Sequence, residues 1–362
     1  MINHVYIHIP FCEKKCNYCS FCSFNLIKKK DIYLEALIKE IKYYYNNVTL
    51  KTIYFGGGTP SLLDSKDIKK ILDCFSFTPD TEITLELNPH NITKEKLENY
   101  KKIGINRLSI GVQNFNNETL KELGRTHNKN EIYKTINYIK ETGFDNFSID
   151  LMYGLNNQTL DNWQKTLDVA IKINPNHISL YGLKIEDGTY FSKYLPKNLP
   201  SQDLQAQMYE AAIEKLNKNY LHYEFSNFAK DENFISKHNC CYWKCKNYFG
   251  FGLSASGYME NKRYTNTFNF SEYIKNPLKK EFEILTKENQ IEEEIFLGLR
   301  LLEGINFNKI NKKYDINIYE KYKKEFNKYL DNKLMQKTQN GVKLTTKGIL
   351  LSNEILCDFI NC

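Results

Sequence analysis

The chain has 362 residues, 41% of them hydrophobic and 14% aromatic, enough for two packed units or one large α/β unit with an appendage, and too apolar for a disordered chain. Its 50 Lys and Arg against 43 Asp and Glu give a net charge of +7 spread along the whole length without an Arg block, which is a poor basis for nucleic-acid binding. A secretory leader pattern and an apolar run of about 18 residues are both missing, so the expected location is the cytoplasm, where clustered cysteines read as metal or redox groups before disulfides.

Short β-like runs alternate with helical patterns. VYIHI (5–9) precedes an amphipathic stretch over 33–45; TIYF (52–55) precedes a helix over 65–75; EITLEL (82–87) precedes one over 93–102. RLSIGV (107–112), FSIDLM (147–152) and HISLYGL (177–183) follow, with helices predicted over 131–141 and 160–173. Six such units with largely apolar strands predict parallel pairing under covering helices, a complete or partial barrel. The alternation stops near residue 190. From 289 onward, the helical IEEEIFLGLRLL, further helices over 306–314 and 319–330, and a hairpin turning at Asn340-Gly341 predict a small winged-helix-like domain, read as a lid or packing module because no helix is rich in Arg. The expected division is a barrel over 1–190, an extension over 191–288 and a C-terminal domain over 289–362.

The unusual polar residues fall at the carboxyl ends of the strands. Cys12, Cys16 and Cys19 follow the first, Gly56-Gly57-Gly58-Thr59-Pro60 the second, Glu86 ends the third, Gln113 follows the fourth and Asp150 ends the fifth. In a β/α barrel that rim is where binding groups converge. Three closely spaced thiolates, soft ligands, suit three irons of a [4Fe–4S] cluster with the fourth iron left open for S-adenosylmethionine; structural zinc is the alternative. The glycines let backbone approach a ligand closely, and Glu86, Gln113, Arg125 and Asp150 can hydrogen-bond ribose, amino or carboxylate groups. Taken singly, each has a plainer reading: a Gly-rich turn, solvated strand ends, a loop amide, a surface cation. Cys22 is either a spare ligand or a bystander and stays outside the ligand set; Cys74, Cys357 and Cys362 read as incidental.

YIHIPFCEKKCNYC, YFGGGTPSLL, LELNP, RLSIGVQNF, LGRTH and IDLMYGL, in that order, resemble the radical S-adenosylmethionine proteins of the oxygen-independent coproporphyrinogen III oxidase (HemN) family. The resemblance implies a partial (β/α)6 TIM-like radical SAM barrel with an appended helical domain. It also implies a [4Fe–4S] cluster on Cys12, Cys16 and Cys19, and S-adenosylmethionine contacted by Tyr6, Gly57, Gly58, Thr59, Glu86, Gln113, Arg125 and Asp150.

Within that family the chain looks most like the HemW-type haem chaperones. HNCCYW (238–243) matches their HNxxYW pattern and NYFGFGLSASGY follows it, while the oxidase type carries a longer segment before the cluster motif, which here begins at residue 12. His238 would offer an imidazole to haem iron, and Tyr242 and Trp243 aromatic faces to a macrocycle. The plainer reading is a hydrogen-bonded loop histidine beside two core aromatics. Two departures from the pattern are the thiols Cys240, Cys241 and Cys245, which leave Cys ligation or a separate metal site with His238 open, and SASG, which lacks the relatives' His. The expected function is a haem chaperone that receives haem and delivers it to recipient haemoproteins at the membrane surface, served by an electron donor of the flavodoxin or ferredoxin kind. The alternative is oxygen-independent coproporphyrinogen III dehydrogenase, which forms protoporphyrinogen IX by radical oxidative decarboxylation.

Overall fold

Six consecutive parallel strands alternate strictly in character. They are β1 (His4–Ile9), β2 (Leu50–Gly57), β3 (Phe77–Leu87), β4 (Arg107–Gln113), β5 (Phe147–Tyr153) and β6 (His177–Gly182), in a computed structural model that describes residues 2–90 and 92–360; Cys362 lies outside the described residues. One face carries Val5, Ile7, Ile53, Phe55, Ile83, Leu85, Leu108, Ile110, Ile149, Leu151 and Ile178, all buried in one apolar core. Each such side chain contributes roughly 1.5–3 kcal/mol by leaving water. The alternate residues form polar rows: Tyr6 and His8, Thr52 and Tyr54, Thr84 and Glu86, Arg107 and Ser109, Ser148 and Asp150, His177 and Ser179. Successive side chains on a strand point to opposite faces, so the apolar set faces the helices and the polar set the inside of the curved sheet.

The covering helices are α1 (Lys30–Tyr44), α2 (Ser65–Leu72), α3 (Lys94–Lys102), α4 (Asn117–Glu122), α5 (Lys129–Glu141) and α6 (Leu160–Ile173). Their starts follow from local chemistry. Thr93, Asn116, Asn128 and Thr159 cap α3 to α6 through their side chains, Asn128 in a full capping box with Glu131, and Asn174 ends α6 in the left-handed region.

Beyond these lie α7 (Tyr190–Lys193), α8 (Gln202–Leu216), β7 (Leu221–Glu224), β8 (Asn227–Ala229), α9 (Lys237–Trp243) and β9 (Phe249–Phe251). The sheet runs β7-β8-β6-β5-β4-β3-β2-β1-β9, with β9 parallel to β1 and β8 antiparallel to β6. The sheet is therefore open, a partial barrel with β7 and β9 at its edges. The 191–288 segment feeds both large cores: Met208, Phe228, Phe249 and Tyr273 join the barrel's, whereas Tyr209 and Phe225 join that of the C-terminal helices.

A three-stranded sheet of β10 (Ser256–Met259), β11 (Lys262–Thr265) and β12 (Glu281–Ile284) brackets α10 (Phe270–Lys275). The C-terminal domain comprises α11 (Lys287–Gly298), β13 (Ile305–Asn306), α12 (Phe307–Tyr314), α13 (Ile318–Lys321), α14 (Lys323–Asp331), β14 (Met335–Thr338), β15 (Gly341–Leu344), α15 (Thr346–Leu350) and α16 (Ser352–Cys357). The single helix predicted over 319–330 is two, broken at Tyr322, where φ −114 and ψ 32 leave the helical region. The hairpin turn is one residue earlier than predicted: Thr338 pairs with Gly341, so Gln339 and Asn340 form it. Among the described residues no helix is long and apolar enough to cross a membrane.

Candidate functional site

The cysteine segment is a closed loop at the carboxyl end of β1. Cys12 N donates to Phe24 O (3.0 Å) and Phe24 N to Pro10 O (2.8 Å), pinning its base. Asn17 ties its tip to the end of α4 through Leu123 O (2.9 Å) and Glu122 O (2.7 Å), and Phe191 N of α7 donates back to Asn17 O (3.0 Å). The glycine turn after β2 docks on the same base, Gly58 N to Ile9 O (2.8 Å) and Thr59 N to Phe11 O (2.7 Å), which brings Thr59 Oγ1 to 3.5 Å from Cys12 Sγ. At Gly58 a Cβ would lie 2.6 Å from Phe11 O, so only glycine permits this closeness.

Arg125, just past the end of α4, reaches the loop. It donates to Gly111 O (2.6 Å) and Cys16 Sγ (3.5 Å), and its Nε is buried without a partner. The three thiols sense one another: burial raises the pKa of Cys12 and pushes Cys19 up to about 11, and the charge of Cys16 raises both further. Loading a metal therefore expels protons from them. Among the described residues no three His, Cys, Asp or Glu side chains converge on one metal position. Three soft thiolates are the donor type that suits the irons of an iron–sulfur cluster.

Two carboxyls stand on the inner face beside this loop. Glu86 accepts from Tyr54 Oη (2.7 Å) and Gly57 N (3.2 Å); burial, with the charge of Asp150 adding to it, raises its pKa to about 7. Asp150 accepts from Ser109 Oγ, 3.2 Å from each oxygen, and burial raises it to about 6. Both carboxyls are enclosed by the sheet yet partly open to the space inside it, so a ligand entering from the rim meets acceptors already oriented. Gln113 sits where a bulge displaces the β4–β5 register, with φ 65, a conformation uncommon outside glycine. His8 Nε2 donates to Cys22 O (2.8 Å), which leaves Nδ1 of the neutral ring to accept from the Tyr6 hydroxyl (3.1 Å). The structure thus brings Tyr6, Cys12, Cys16, Cys19, Gly57, Gly58, Thr59, Glu86, Gln113, Arg125 and Asp150 to one rim. Tyr54, His8 and Ser109 belong to the same constellation and went unread, although the period-2 alternation carried them.

His238 is elsewhere, and both of its ring nitrogens are hydrogen-bonded in this structure. It lies on α9, across the amino-terminal end of the inner face, where Lys237 N and His238 N donate to Glu82 (3.1 and 3.0 Å). Its side chain is 1% exposed; Nδ1 meets Thr52 Oγ1 (2.7 Å) and Nε2 meets Tyr242 Oη (2.7 Å), so neither nitrogen is free. Tyr242 is committed to that bond and packs edge-on against Tyr248, and Trp243 carries the Arg300 guanidinium 4.6 Å over its ring. Burial pushes the thiol of Cys240 up to about 12 and that of Cys241 higher still, which opposes thiolate ligation by either.

Residues 6–170 match the radical SAM superfamily and residues 285–351 the HemN C-terminal domain. The haem chaperone HemW of Lactococcus lactis is 36% identical, over 99% of this chain and 97% of its own; that of Bacillus subtilis is 36% identical over 98% of each. The chain belongs to the HemW family of radical SAM proteins. An iron–sulfur cluster and S-adenosylmethionine follow from membership of the superfamily. Coproporphyrinogen III oxidase (HemN) of Escherichia coli superposes with a TM-score of 0.86, covering 98% of this chain and 89% of that one at 24% identity, a likeness of fold. HemW-family membership spans the barrel, α9 and the C-terminal domain alike.

Proposed function

We propose that this chain is a cytoplasmic haem chaperone that binds haem and passes it to haemoproteins, holding a [4Fe–4S] cluster on Cys12, Cys16 and Cys19. The observation that carries this reading is the 36% identity to HemW haem chaperones along 98–99% of the chain. In this reading Glu86, Gln113, Asp150, Tyr6 and the Gly57-Gly58-Thr59 turn receive S-adenosylmethionine. Arg125 offsets the negative charge that builds up on the thiolates. The chemistry such a pair supplies when bound is one-electron reduction of a sulfonium, fed by a flavodoxin- or ferredoxin-like donor. The protein's own contribution is to hold acceptors and thiols in place before the ligand arrives, which lowers the ordering cost of binding.

The test is anaerobic. Reconstituted protein is titrated with haem and then mixed with a haem-depleted haemoprotein, while a parallel sample receives coproporphyrinogen III, S-adenosylmethionine and reductant. Saturable haem binding with transfer, and no protoporphyrinogen, is expected. Protoporphyrinogen formed over many turnovers would replace the chaperone reading with the oxidase one.

A further inference from the structure

We propose that His238 is a positioning residue for Glu86, acting through Tyr54 from behind the S-adenosylmethionine pocket; the proposal rests on the reading of Glu86 as a contact of that ligand. The imidazole of His238 stacks on the ring of Tyr54 with centroids 5.0 Å apart and planes 25° from parallel. Tyr54 also stacks with Tyr6, at 6.2 Å and 25°. The Tyr54 hydroxyl donates to Glu86 Oε1 at 2.7 Å, while Glu86 Oε2 accepts from Gly57 N at 3.2 Å. His238, Tyr54, Glu86 and Gly57 are thus consecutive members of one packed path from the closed end of the sheet to the rim.

The path is stiff at its origin. Thr52 Oγ1 lies 2.7 Å from His238 Nδ1 and 2.9 Å from His4 Nδ1; a hydroxyl has one proton to give, so one imidazole accepts from it and the other donates to it. Tyr242 Oη fixes the opposite nitrogen, and Glu82 holds the first turn of α9 by two backbone donors. Every rotation of the His238 ring therefore breaks a buried hydrogen bond. Without that ring, Tyr54 keeps only the more distant stack with Tyr6, its hydroxyl is free to leave Glu86, and the carboxyl keeps only the Gly57 donor. A contact that is no longer pre-oriented binds its ligand more weakly.

The experiment measures S-adenosylmethionine affinity by anaerobic equilibrium dialysis on the reconstituted full chain, with iron content and thermal midpoint recorded for each protein. The variants are His238→Gln, Tyr54→Phe, the two together, and Glu86→Gln. We expect His238→Gln and Tyr54→Phe each to weaken binding about five-fold, the net worth of one ordinary hydrogen bond, with iron content unchanged. The double variant should be no weaker than about either single one, because both act on the same bond. Wild-type affinity in His238→Gln, or strictly multiplicative losses in the double variant, overturns the positioning role. Wild-type affinity in Glu86→Gln instead overturns the underlying pocket, so the two failures are distinguishable. Should His238→Gln fail to fold, Tyr242→Phe releases the imidazole on one side only, and an affinity equal to wild type in that protein counts against the proposal in the same way.

Discussion

Glu40 and Lys280 stand 240 residues apart in the chain and form an ion pair at 2.6 Å with their side chains 0% and 1% exposed. The carboxylate also accepts from Gly252 N (2.8 Å), Tyr273 Oη (2.6 Å) and Asn266 Nδ2 (2.7 Å), and the ammonium lies 4.0 Å over the Tyr264 ring. This satisfied network fastens the segment after β9, with α10, onto α1. Removing only the cation leaves an uncompensated charge in a dry site. Lys280→Met should therefore lower the unfolding free energy by about 3–5 kcal/mol, and adding Glu40→Gln should restore part of it. Urea denaturation of the two proteins checks this; a Lys280→Met variant as stable as wild type would refute it.

The loop geometry separates the cysteines. Cys12 and Cys16 each lie beside a polar partner at the rim, Thr59 and Arg125, while the thiol of Cys22 points to Phe268 O at 3.8 Å. Cys12→Ala, Cys16→Ala and Cys19→Ala should each abolish the cluster, and Cys22→Ala should keep it. Iron and sulfide analysis after anaerobic reconstitution decides the matter, and full cluster content in Cys16→Ala would sink the ligand assignment.

Gly57 has φ +107, and a Cβ there would lie 2.5 Å from the His8 ring. That ring cannot step aside, because Tyr6 and Cys22 O hold its two nitrogens. Gly57→Ala combines backbone strain of about 1–3 kcal/mol with displacement of the amide that faces Glu86. It should lower the thermal midpoint and weaken S-adenosylmethionine binding at least as much as Glu86→Gln does; an unaltered midpoint would show that the turn relaxes freely.

Much of this was legible in the sequence for definite reasons. All six barrel strands were predicted from their apolar runs, and 160–173 was predicted to the residue because its cap at Thr159 and its end at Asn174 are written locally. Glu86 and Asp150 could be placed on the rim because strand ends are local features. The polar inner face was equally available, as every second residue of those runs, but apolar content alone hides it. Two things had no local signal at all. The parallel pairing of Phe249 to Phe251 with β1 joins segments far apart in the chain, and the burial of His238 depends on Thr52 and Glu82, which no pattern around residue 238 encodes. A motif names the side chain; long-range partners decide whether its nitrogens are free.

Glu224, on β7, tests the electrostatics of the same interior. Its side chain is fully buried, Asn227 donates to one oxygen, and the other has no hydrogen-bond partner. Burial outweighs the backbone hydrogen bond from Ser226 and the attraction of Arg300 and raises its pKa from 4.5 to about 7. A carboxyl whose pKa is higher in the folded state binds its proton more tightly there, so its contribution to stability is fully present below pH 4.5 and is gone once the pH has risen through 7. At about 1.4 kcal/mol for each pH unit, most of the change falls between pH 5 and pH 8. Glu224→Gln removes this titration and leaves every other ionisable group in place. The difference in unfolding free energy between the two proteins should therefore move by about 2–3 kcal/mol in favour of the Gln variant on going from pH 5 to pH 8. The other titrating groups, shared by both chains, cancel in that difference. Urea titrations at the two pH values measure it, and an offset that stays constant would show that Glu224 folds as a carboxylate.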